Sequence, residues 1–286
     1  MLLRLAVNEF EKDLKFKEKS DWTVTGYTRE MKAFKDFLEK ELNGPAYVDD
    51  VKRADIKSYF NHLKSKGLQP SSRNRILFIL RSFYNFAKKE KIAEENLAAD
   101  FDPVKTRTKE RVYLTKEEMD KLVEFIDHPV VKAAALIMYY AGLRISECLG
   151  LKTKDLDLEN DVIHIKNGKG KKDRDVPISD RLHEILVGYL EKDRPQVSSE
   201  KVIATNQSGG MSNAYFNQII GQSVDSLGWD KNVTAHTLRH SFAYNLVKKD
   251  VNIYKIQKLL GHANIQITSI YTHSSMEDLN EAVNVI

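Results

Sequence analysis

The sequence has a single cysteine, Cys148, and few residues that break regular structure: 6 prolines and 13 glycines among 286 residues. One thiol excludes an internal disulfide framework and a cysteine-rich metal site. No apolar run approaches the roughly 20 residues that cross a bilayer, and charges enter the N-terminal segment too early for a signal sequence. The chain also lacks an internal repeat, a P-loop and a Rossmann glycine pattern. We therefore expect a cytoplasmic protein.

The basic charge is unevenly distributed along the chain. The composition, 42% hydrophobic and 30% charged, is ordinary for a globular protein, and the length allows two domains. The net charge of +4 lies in residues 1–105, with 21 basic and 17 acidic side chains. Within it, residues 52–91 hold 11 basic side chains against Asp55 and Glu90. Such clustering is typical of a protein that binds a phosphate backbone. Charge alone equally allows a solvated lysine-rich surface.

Apolar residues at helical spacing predict a helical domain over residues 1–102. Three helices are expected over 23–42, 48–67 and 71–91, and a short fourth helix over 93–100. The expected N-terminal caps are Asp49 or Asp50 for the second helix and Ser71 or Ser72 for the third. The polar side of the third helix carries the candidate DNA-binding residues Arg73, Arg75 and Arg81.

A basic linker is expected over residues 103–114, because this stretch has a proline and no apolar periodicity. Its candidate DNA contacts are Lys105 and Arg107. Thr115 and Glu118 have the spacing of a capping box, so a helix should begin there. The second domain then runs over residues 115–286.

The second domain should be mainly α with a small antiparallel β-sheet. Two apolar helical stretches flank Gly142. Val162–Ile165 and Asp175–Ile178 are β-rich runs joined by "KNGKGKKDR", whose Asn-Gly favours a tight hairpin. A hairpin tip of one charge sign suits a nucleic-acid backbone, and its candidate DNA-binding residues are Lys171, Lys172 and Arg174.

Several residues together indicate phosphoryl transfer without a metal. Arg144 lies in an apolar helix pair and needs an anionic partner, either Glu147 at i+3 or a bound phosphate. His236 and Arg239 share one side of a helix, although a histidine on its own is more often structural. Guanidinium groups match the oxygens of a phosphodiester. A tyrosine such as Tyr271 is a nucleophile that keeps the bond energy in a covalent intermediate.

The motifs "AGLRISE", "GKGKKDRDVP", "HTLRHSFA" and "LLGHANIQITSIYTH" resemble those of the tyrosine recombinases, which include Xer proteins, phage integrases and transposon resolvases. The resemblance implies an α+β catalytic domain preceded by a helical, SAM-like core-binding domain. It also implies Tyr271 as nucleophile and Glu147 as supporting acid. The remaining catalytic residues that it implies are Arg144, Lys169, His236, Arg239 and His262.

The activity that the resemblance implies is site-specific recombination through a 3′-phosphotyrosyl intermediate and a Holliday junction, with no metal, cofactor or ATP. The partners would be double-stranded DNA sites in the nucleoid and a homo-tetramer on two sites, monomeric or weakly associated without DNA. An accessory protein is left open. Two alternatives also stay open: a type IB topoisomerase-like enzyme that rejoins its own strand, and a catalytically silent DNA-binding regulator.

The C-terminal segment should form one more short helix. Ser274 and Glu277 have capping-box spacing. The apolar residues that follow at i, i+3, i+4 and i+7 are Leu279, Ala282, Val283 and Ile286. So short a helix must bury this stripe, either on its own domain or, as the family resemblance implies, on a neighbouring protomer.

Overall fold

The computed structural model describes residues 1–106, 112–166, 173–206, 209–262 and 264. The chain divides into two compact units, Met1–Lys109 and Glu110–Ile286, and the division falls inside the segment that we predicted as linker. Within the described residues, no helix combines the length and apolar composition that a membrane crossing requires.

The described part of the first unit contains four α-helices: α1 (Leu3–Phe16), α2 (Asp21–Leu42), α3 (Arg53–Ser65) and α4 (Pro70–Lys89). The predicted number is confirmed, but the predicted fourth helix is wrong. Residues 93–100 form bends and turns, and the fourth helix is α1. The reason is that α1 buries a continuous stripe of Leu3, Val7, Phe10 and Leu14, whereas 93–100 has only Leu97 as a large apolar residue.

Two predicted helix caps are also wrong. Helix α3 begins after Lys52, whose main-chain N–H donates to the carboxylate of Asp55 at 2.7 Å, and Asp49 instead pairs with the N-terminal amine at 2.7 Å. Helix α4 begins at Pro70, before the serines that we expected as caps. Proline suits the first helical position because its φ is already helical and its missing N–H costs nothing there.

Side chains of α4 bind the chain that follows this helix. The Arg81 guanidinium donates to the main-chain carbonyls of Ala98 (3.1 Å), Ala99 (3.0 Å) and Phe101. The Asn74 side chain donates to the carbonyl of Val104 and accepts its N–H, both at 2.8 Å. The segment after α4 is therefore held on the helical core up to Val104.

The second unit combines seven described helices with a three-stranded sheet, which confirms the predicted fold class. The helices are α5 (Lys116–Glu124), α6 (Pro129–Ala141), α7 (Ile145–Gly150), α8 (Asp180–Gly188), α9 (Asn213–Ser226), α10 (Ala235–Val247) and α11 (Ile253–Leu260). The strands are β1 (Leu156–Asp157), β2 (Val162–Ile165) and β3 (Arg174–Pro177). The capping box at Thr115 and Glu118 is confirmed at the start of α5.

Helix α6 is the centre of this unit, since most of its residues are buried, and it packs against α10. It ends at Gly142, which has a φ of +63°. A Cβ at this position would lie 2.4 Å from the ring of Phe242 on α10. Glycine is therefore required both for the left-handed backbone and for the close approach of the two helices.

The sheet is antiparallel with strand order β1-β2-β3. The register pairs Ile163 with Val176 and Ile165 with Arg174, so the two predicted strands are confirmed to within one residue at their ends. The predicted tight turn between them lies outside the described residues. Because side chains alternate along a strand, Arg174 shares the face of the buried Val176. This face is turned toward the core of the unit.

The end of the predicted linker packs on α10. The main-chain N–H of Leu114 donates to Ser241 Oγ at 2.7 Å, and the Asn245 amide donates to the Leu114 carbonyl at 3.3 Å. Tyr113 stacks on Tyr244 with ring centroids 3.5 Å apart. The helix that carries His236 and Arg239 therefore also anchors the start of its domain.

Candidate active site

Arg144 lies immediately before α7, and Glu147 lies in the first turn of this helix. One carboxylate oxygen of Glu147 accepts the main-chain N–H of Arg144 at 2.8 Å, and the other accepts from Arg144 Nη1 at 2.6 Å. The contact between the two residues confirms Glu147 as one of the two partners that the sequence left open for Arg144. The carboxylate of Glu147 therefore both caps α7 and orients the guanidinium group of Arg144.

Glu147 is the meeting point of three arginines. Arg174 donates to its two oxygens from Nη1 and Nη2 at 2.9 and 2.8 Å, and Arg239 Nη1 lies 3.8 Å from Oε2. Only 7% of the Glu147 side-chain surface is exposed. Burial raises the pKa of Glu147, but hydrogen bonds from Arg174 and Arg144 outweigh it and hold this pKa at about 2. The carboxylate is therefore ionised at all physiological pH values.

The same three arginines also bind the C-terminal end of α11, where successive main-chain carbonyls have no partner within the helix. Arg174 Nε donates to the carbonyl of Leu259 at 3.0 Å, Arg239 Nη2 to that of Leu260 at 2.6 Å, and Arg144 Nη2 to that of Gly261 at 3.1 Å. Arg239 Nη1 additionally donates to the carbonyl of Gly142 at 2.5 Å. Guanidinium groups are well placed here because a helix C-terminus carries partial negative charge.

His262 follows directly after this helix end. Gly261 takes a φ of +62°, and a Cβ there would lie 2.9 Å from Arg174 Cδ. The Gln257 side chain donates to the carbonyl of His262 at 3.0 Å. Burial, followed by repulsion from Arg239 and Arg144, lowers the pKa of the half-buried His262 to about 4. Its imidazole is therefore neutral at pH 7.

His236 and Arg239 lie one turn apart on α10 but differ in exposure. His236 is exposed, and its ring centroid lies 6.3 Å from that of His240. Arg239 is enclosed, with 6% of its side chain exposed, because Glu147 and the end of α11 surround it. Arg144 is more open, at 20%. The structure thus brings Arg144, Glu147, Arg239 and His262 together.

The remaining predicted catalytic residues, Lys169 and Tyr271, lie outside the described residues, as do Arg107, Lys171, Lys172 and the predicted C-terminal helix. Their assignments remain predictions.

The candidate DNA-binding residues of the first unit have different surroundings. Arg75 is exposed and pairs with Glu30 at 2.5 Å, and Lys105 is exposed. Arg73 Nε is buried and has no hydrogen-bond partner among the described residues. Arg81 donates to main-chain carbonyls of its own unit, as described above. These bonds argue against the DNA contact that we expected from Arg81 and give it a structural role.

Arg174 also differs from the expectation, because it lies at the base of the hairpin, with 11% of its side chain exposed. The tip composition led us to group it with the DNA-binding lysines. A signal in the sequence pointed elsewhere: Arg174 is two residues before Val176, a core residue of the same strand, so the two share one face.

Comparison with known proteins places this geometry in a family. Residues 112–278 match the phage integrase family, and residues 7–91 match the phage integrase, N-terminal SAM-like domain. The chain is 30% identical to tyrosine recombinase XerC of Oceanobacillus iheyensis, over 98% of this chain and 95% of that protein.

Two solved structures share the fold. One is the Tn1549 transposon integrase in complex with a circular intermediate DNA. It superposes with a TM-score of 0.79 and 22% sequence identity, and the match covers 98% of this chain and 99% of that chain. The other is a lambda integrase tetramer bound to a Holliday junction. It superposes with a TM-score of 0.77 and 20% sequence identity, and the match covers 96% of this chain and 80% of that chain. With the family match spanning most of the second unit, and a relative matched over nearly the whole length, this chain belongs to the phage integrase family of tyrosine recombinases.

Proposed function

We propose that this chain is a site-specific DNA recombinase that cleaves and rejoins strands through a phosphotyrosyl intermediate. The observation that carries the proposal is the arginine cluster around Glu147. Three guanidinium groups share one carboxylate, so the cluster keeps a net positive charge. Such a pre-oriented set of donors is complementary to the non-bridging oxygens of a phosphodiester, whose charge increases in the transition state.

The reaction conserves bonds at each step. The Tyr271 hydroxyl loses its proton as Oη attacks the phosphorus, the bond to the 5′ oxygen breaks, and that oxygen takes up a proton and leaves as the 5′-hydroxyl. The 5′-hydroxyl of a partner strand then loses its proton as it attacks the 3′-phosphotyrosine, and the tyrosine oxygen leaves and regains a proton. One phosphodiester replaces another, so the exchange is close to isoenergetic and passes through a Holliday junction.

Each described residue has a role that fits its surroundings. Arg144 and Arg239 bind the scissile phosphate from positions fixed by Glu147 and α11. His262, a neutral imidazole beside them, donates a hydrogen bond to a phosphate oxygen. The exposed His236 and the predicted Lys169 transfer protons to and from the 5′ oxygen.

The protein acts as a homo-tetramer on two DNA sites, in which residues 274–286 of one protomer dock on the next. A groove of about 520 Å³ along β3, α10 and α11 supports this assembly, because apolar side chains line it and lysines stand at its edge. The apolar residues are Val176, Ile178, Phe242, Leu246 and Leu259, and the lysines are Lys116, Lys248 and Lys249. The occupant would match it, since residues 274–286 combine an apolar stripe with Glu277, Asp278 and Glu281.

Trapping the covalent intermediate tests the function. The protein first selects its binding site from a random-sequence duplex library, and the selected site is rebuilt with a nick beside the candidate scissile phosphate. Loss of the short nicked fragment then prevents religation. The unmodified chain should accumulate a denaturant-resistant protein–DNA adduct. Tyr271→Phe should bind with unchanged affinity and form none, because it lacks only the nucleophilic oxygen.

The matched control is Tyr254→Phe, which removes the phenolic oxygen of an exposed tyrosine on α11 and should leave the adduct yield unchanged. An adduct formed by the Tyr271→Phe variant would contradict the assignment of the nucleophile. Products joined between two differently labelled sites identify a recombinase. Relaxation of a supercoiled plasmid by a monomer, without exchange between sites, would instead indicate the topoisomerase activity.

A further inference from the structure

Arg174 occupies a position between the elements that carry the phosphate-binding arginines. It begins β3, donates to Glu147 in α7 with both terminal nitrogens, and donates to Leu259 in α11 with Nε. All three nitrogens of its guanidinium group therefore donate a hydrogen bond to another part of the unit. Lysine has one nitrogen and cannot make this planar set of bonds.

The Glu147 carboxylate takes its orientation from this contact. Among the described residues, Arg174 alone donates from its side chain to both carboxylate oxygens, at 2.9 and 2.8 Å. Arg144 Nη1 donates to one of them, and Arg239 approaches the other only to 3.8 Å. A bidentate pair restricts rotation of the carboxylate, and the direction in which Arg144 points follows from it.

Arg174 also sets the end of α11. Its Nε binds Leu259, the first of the three successive carbonyls that receive arginines, and its Cδ lies where a side chain on Gly261 would stand. The main chain therefore passes close over the Arg174 stem and places His262 next in sequence. Moving Arg174 would release both the carboxylate behind Arg144 and the turn before His262.

We propose that Arg174 is a positioning residue for strand cleavage, which holds Arg144 and His262 in place through Glu147 and Leu259 without contacting DNA. The proposal rests on the recombinase function proposed above. It replaces the DNA contact expected from the hairpin composition, because Arg174 pairs with the Glu147 carboxylate through both terminal nitrogens and uses Nε on Leu259. Arg144 and Arg239 each approach this carboxylate with one terminal nitrogen only.

The test uses Arg174→Lys in the full-length chain, with Arg181→Lys as the matched control, since Arg181 pairs with Glu184 on the exposed side of α8. Single-turnover adduct formation on the nicked site should slow by about 10- to 100-fold in Arg174→Lys, by analogy with the loss of residues that orient metal ligands. The dissociation constant for DNA and the slope of its logarithm against salt should not change, either in Arg174→Lys or in Arg174→Gln, which removes the positive charge. The control should keep the cleavage rate.

A double-mutant cycle with Glu147→Gln separates positioning from independent action. If Arg174 works through Glu147, Arg174→Lys should cost far less in the Glu147→Gln background than in the unmodified chain. If the rate reduction in the double variant equals the product of the two single reductions, the proposal is overturned. A cleavage rate that Arg174→Lys leaves unchanged would overturn it too. In Arg174→Gln, which removes the positive charge, a salt slope reduced by about one would indicate a direct phosphate contact and overturn the proposal as well.

Hydrogen exchange in the absence of DNA gives a readout that does not depend on cleavage. Peptides covering residues 144–147 and 257–262 should exchange faster in Arg174→Lys than in Arg181→Lys, while peptides from α9 stay unchanged. Equal exchange in the two variants would overturn the proposal. If the unmodified chain forms no adduct, the recombinase function fails, and the exchange result still decides whether Arg174 holds these segments. Should Arg174→Lys not fold, Arg174→Gln serves in the same measurements.

Discussion

The amide side chain of Asn74 on α4 pairs with the main-chain N–H and carbonyl of Val104 through two hydrogen bonds of 2.8 Å. Asn74 lies in the helix that carries Arg73 and Arg75, so the segment leading out of the first unit is fixed to the candidate DNA-binding helix. Because a side chain closes both bonds, a single substitution removes them.

Asn74→Ala should release the segment after Phe101 while leaving the four-helix core intact. The loss of two partly exposed hydrogen bonds should lower the free energy of unfolding by about 1–2 kcal/mol. Limited proteolysis should cut Asn74→Ala faster than the unmodified chain within residues 102–106. Asn8→Ala, at an exposed position of α1, is the control. Equal cleavage of both variants there would show that the pair does not hold the segment.

Arg81 and Arg75 should respond in opposite ways to alanine substitution. Arg81→Ala removes the donors to Ala98, Ala99 and Phe101, so the free energy of unfolding should fall by about 1–3 kcal/mol with little change in the salt slope of DNA binding. Arg75→Ala breaks only an exposed pair with Glu30 and should cost at most about 1 kcal/mol.

DNA titrations at several salt concentrations compare the effects of the same two substitutions on DNA binding. Arg75→Ala should weaken binding and reduce the slope by about one if it contacts a phosphate. A reduced slope in Arg81→Ala would restore the DNA contact that the structure argues against.

Gly142→Ala should damage both stability and cleavage. An alanine at this left-handed position costs about 1–2 kcal/mol in backbone energy, and its Cβ would lie 2.4 Å from the Phe242 ring. The displaced Gly142 carbonyl would also lose its hydrogen bond from Arg239. Urea unfolding and single-turnover cleavage measure the two effects. Gly221→Ala on α9 is the control, since no atom lies within 4 Å of its added Cβ, and it should be neutral or stabilising. Equal behaviour of both variants would refute the steric argument.

The stability of the protein should fall as pH decreases, in two windows. The pKa of His262 is about 4 in the folded chain against 6.5 ordinarily, so the unfolded chain takes up this proton first and stability falls between pH 6.5 and 4. The pKa of Glu147 is about 2 against 4.5, so its contribution is present above pH 4.5 and is lost between pH 4.5 and 2. Urea unfolding between pH 7 and 4 should show a shallower fall for His262→Gln than for the unmodified chain. Identical curves would refute the lowered pKa.

Assembly should depend on charge across the groove on α10. Replacing Lys248 and Lys249 by glutamate should weaken tetramer formation on two-site DNA, because the incoming C-terminal segment carries Glu277 and Asp278. Replacing those two acids by lysine in the same chain should restore it. Sedimentation velocity with labelled DNA measures the assembly, and single-site binding serves as the control. Mixing the chain that carries the two glutamates with a chain that carries only the two new lysines distinguishes the two docking modes. Assembly should recover in the mixture if the segment docks on a neighbour, and should not recover if it docks on its own protomer.

Much of the architecture followed from local patterns. Apolar spacing located α2, α4 and α6, the alternation around "KNG" located the hairpin, and Thr115 with Glu118 located the start of α5. These predictions succeeded because helices and hairpins are stabilised by residues within a few positions of one another. Helix α1 was not predicted; it is stabilised by packing its stripe of Leu3, Val7, Phe10 and Leu14 against α2 and α4, which are distant in sequence from much of it.

Sequence patterns were sufficient to predict the family and most helical and β segments, and they offered Glu147 as one of two partners for Arg144. The roles of Arg174 and Arg81 became visible in the folded chain alone. Arg174 meets Glu147 across 27 residues and Leu259 across 85, and Arg144 meets Gly261 across 117. An arginine has the same charge at a DNA surface as in a buried cluster. Its role depends on which acceptors the folded chain brings to its guanidinium group, and spacing along the sequence does not encode that.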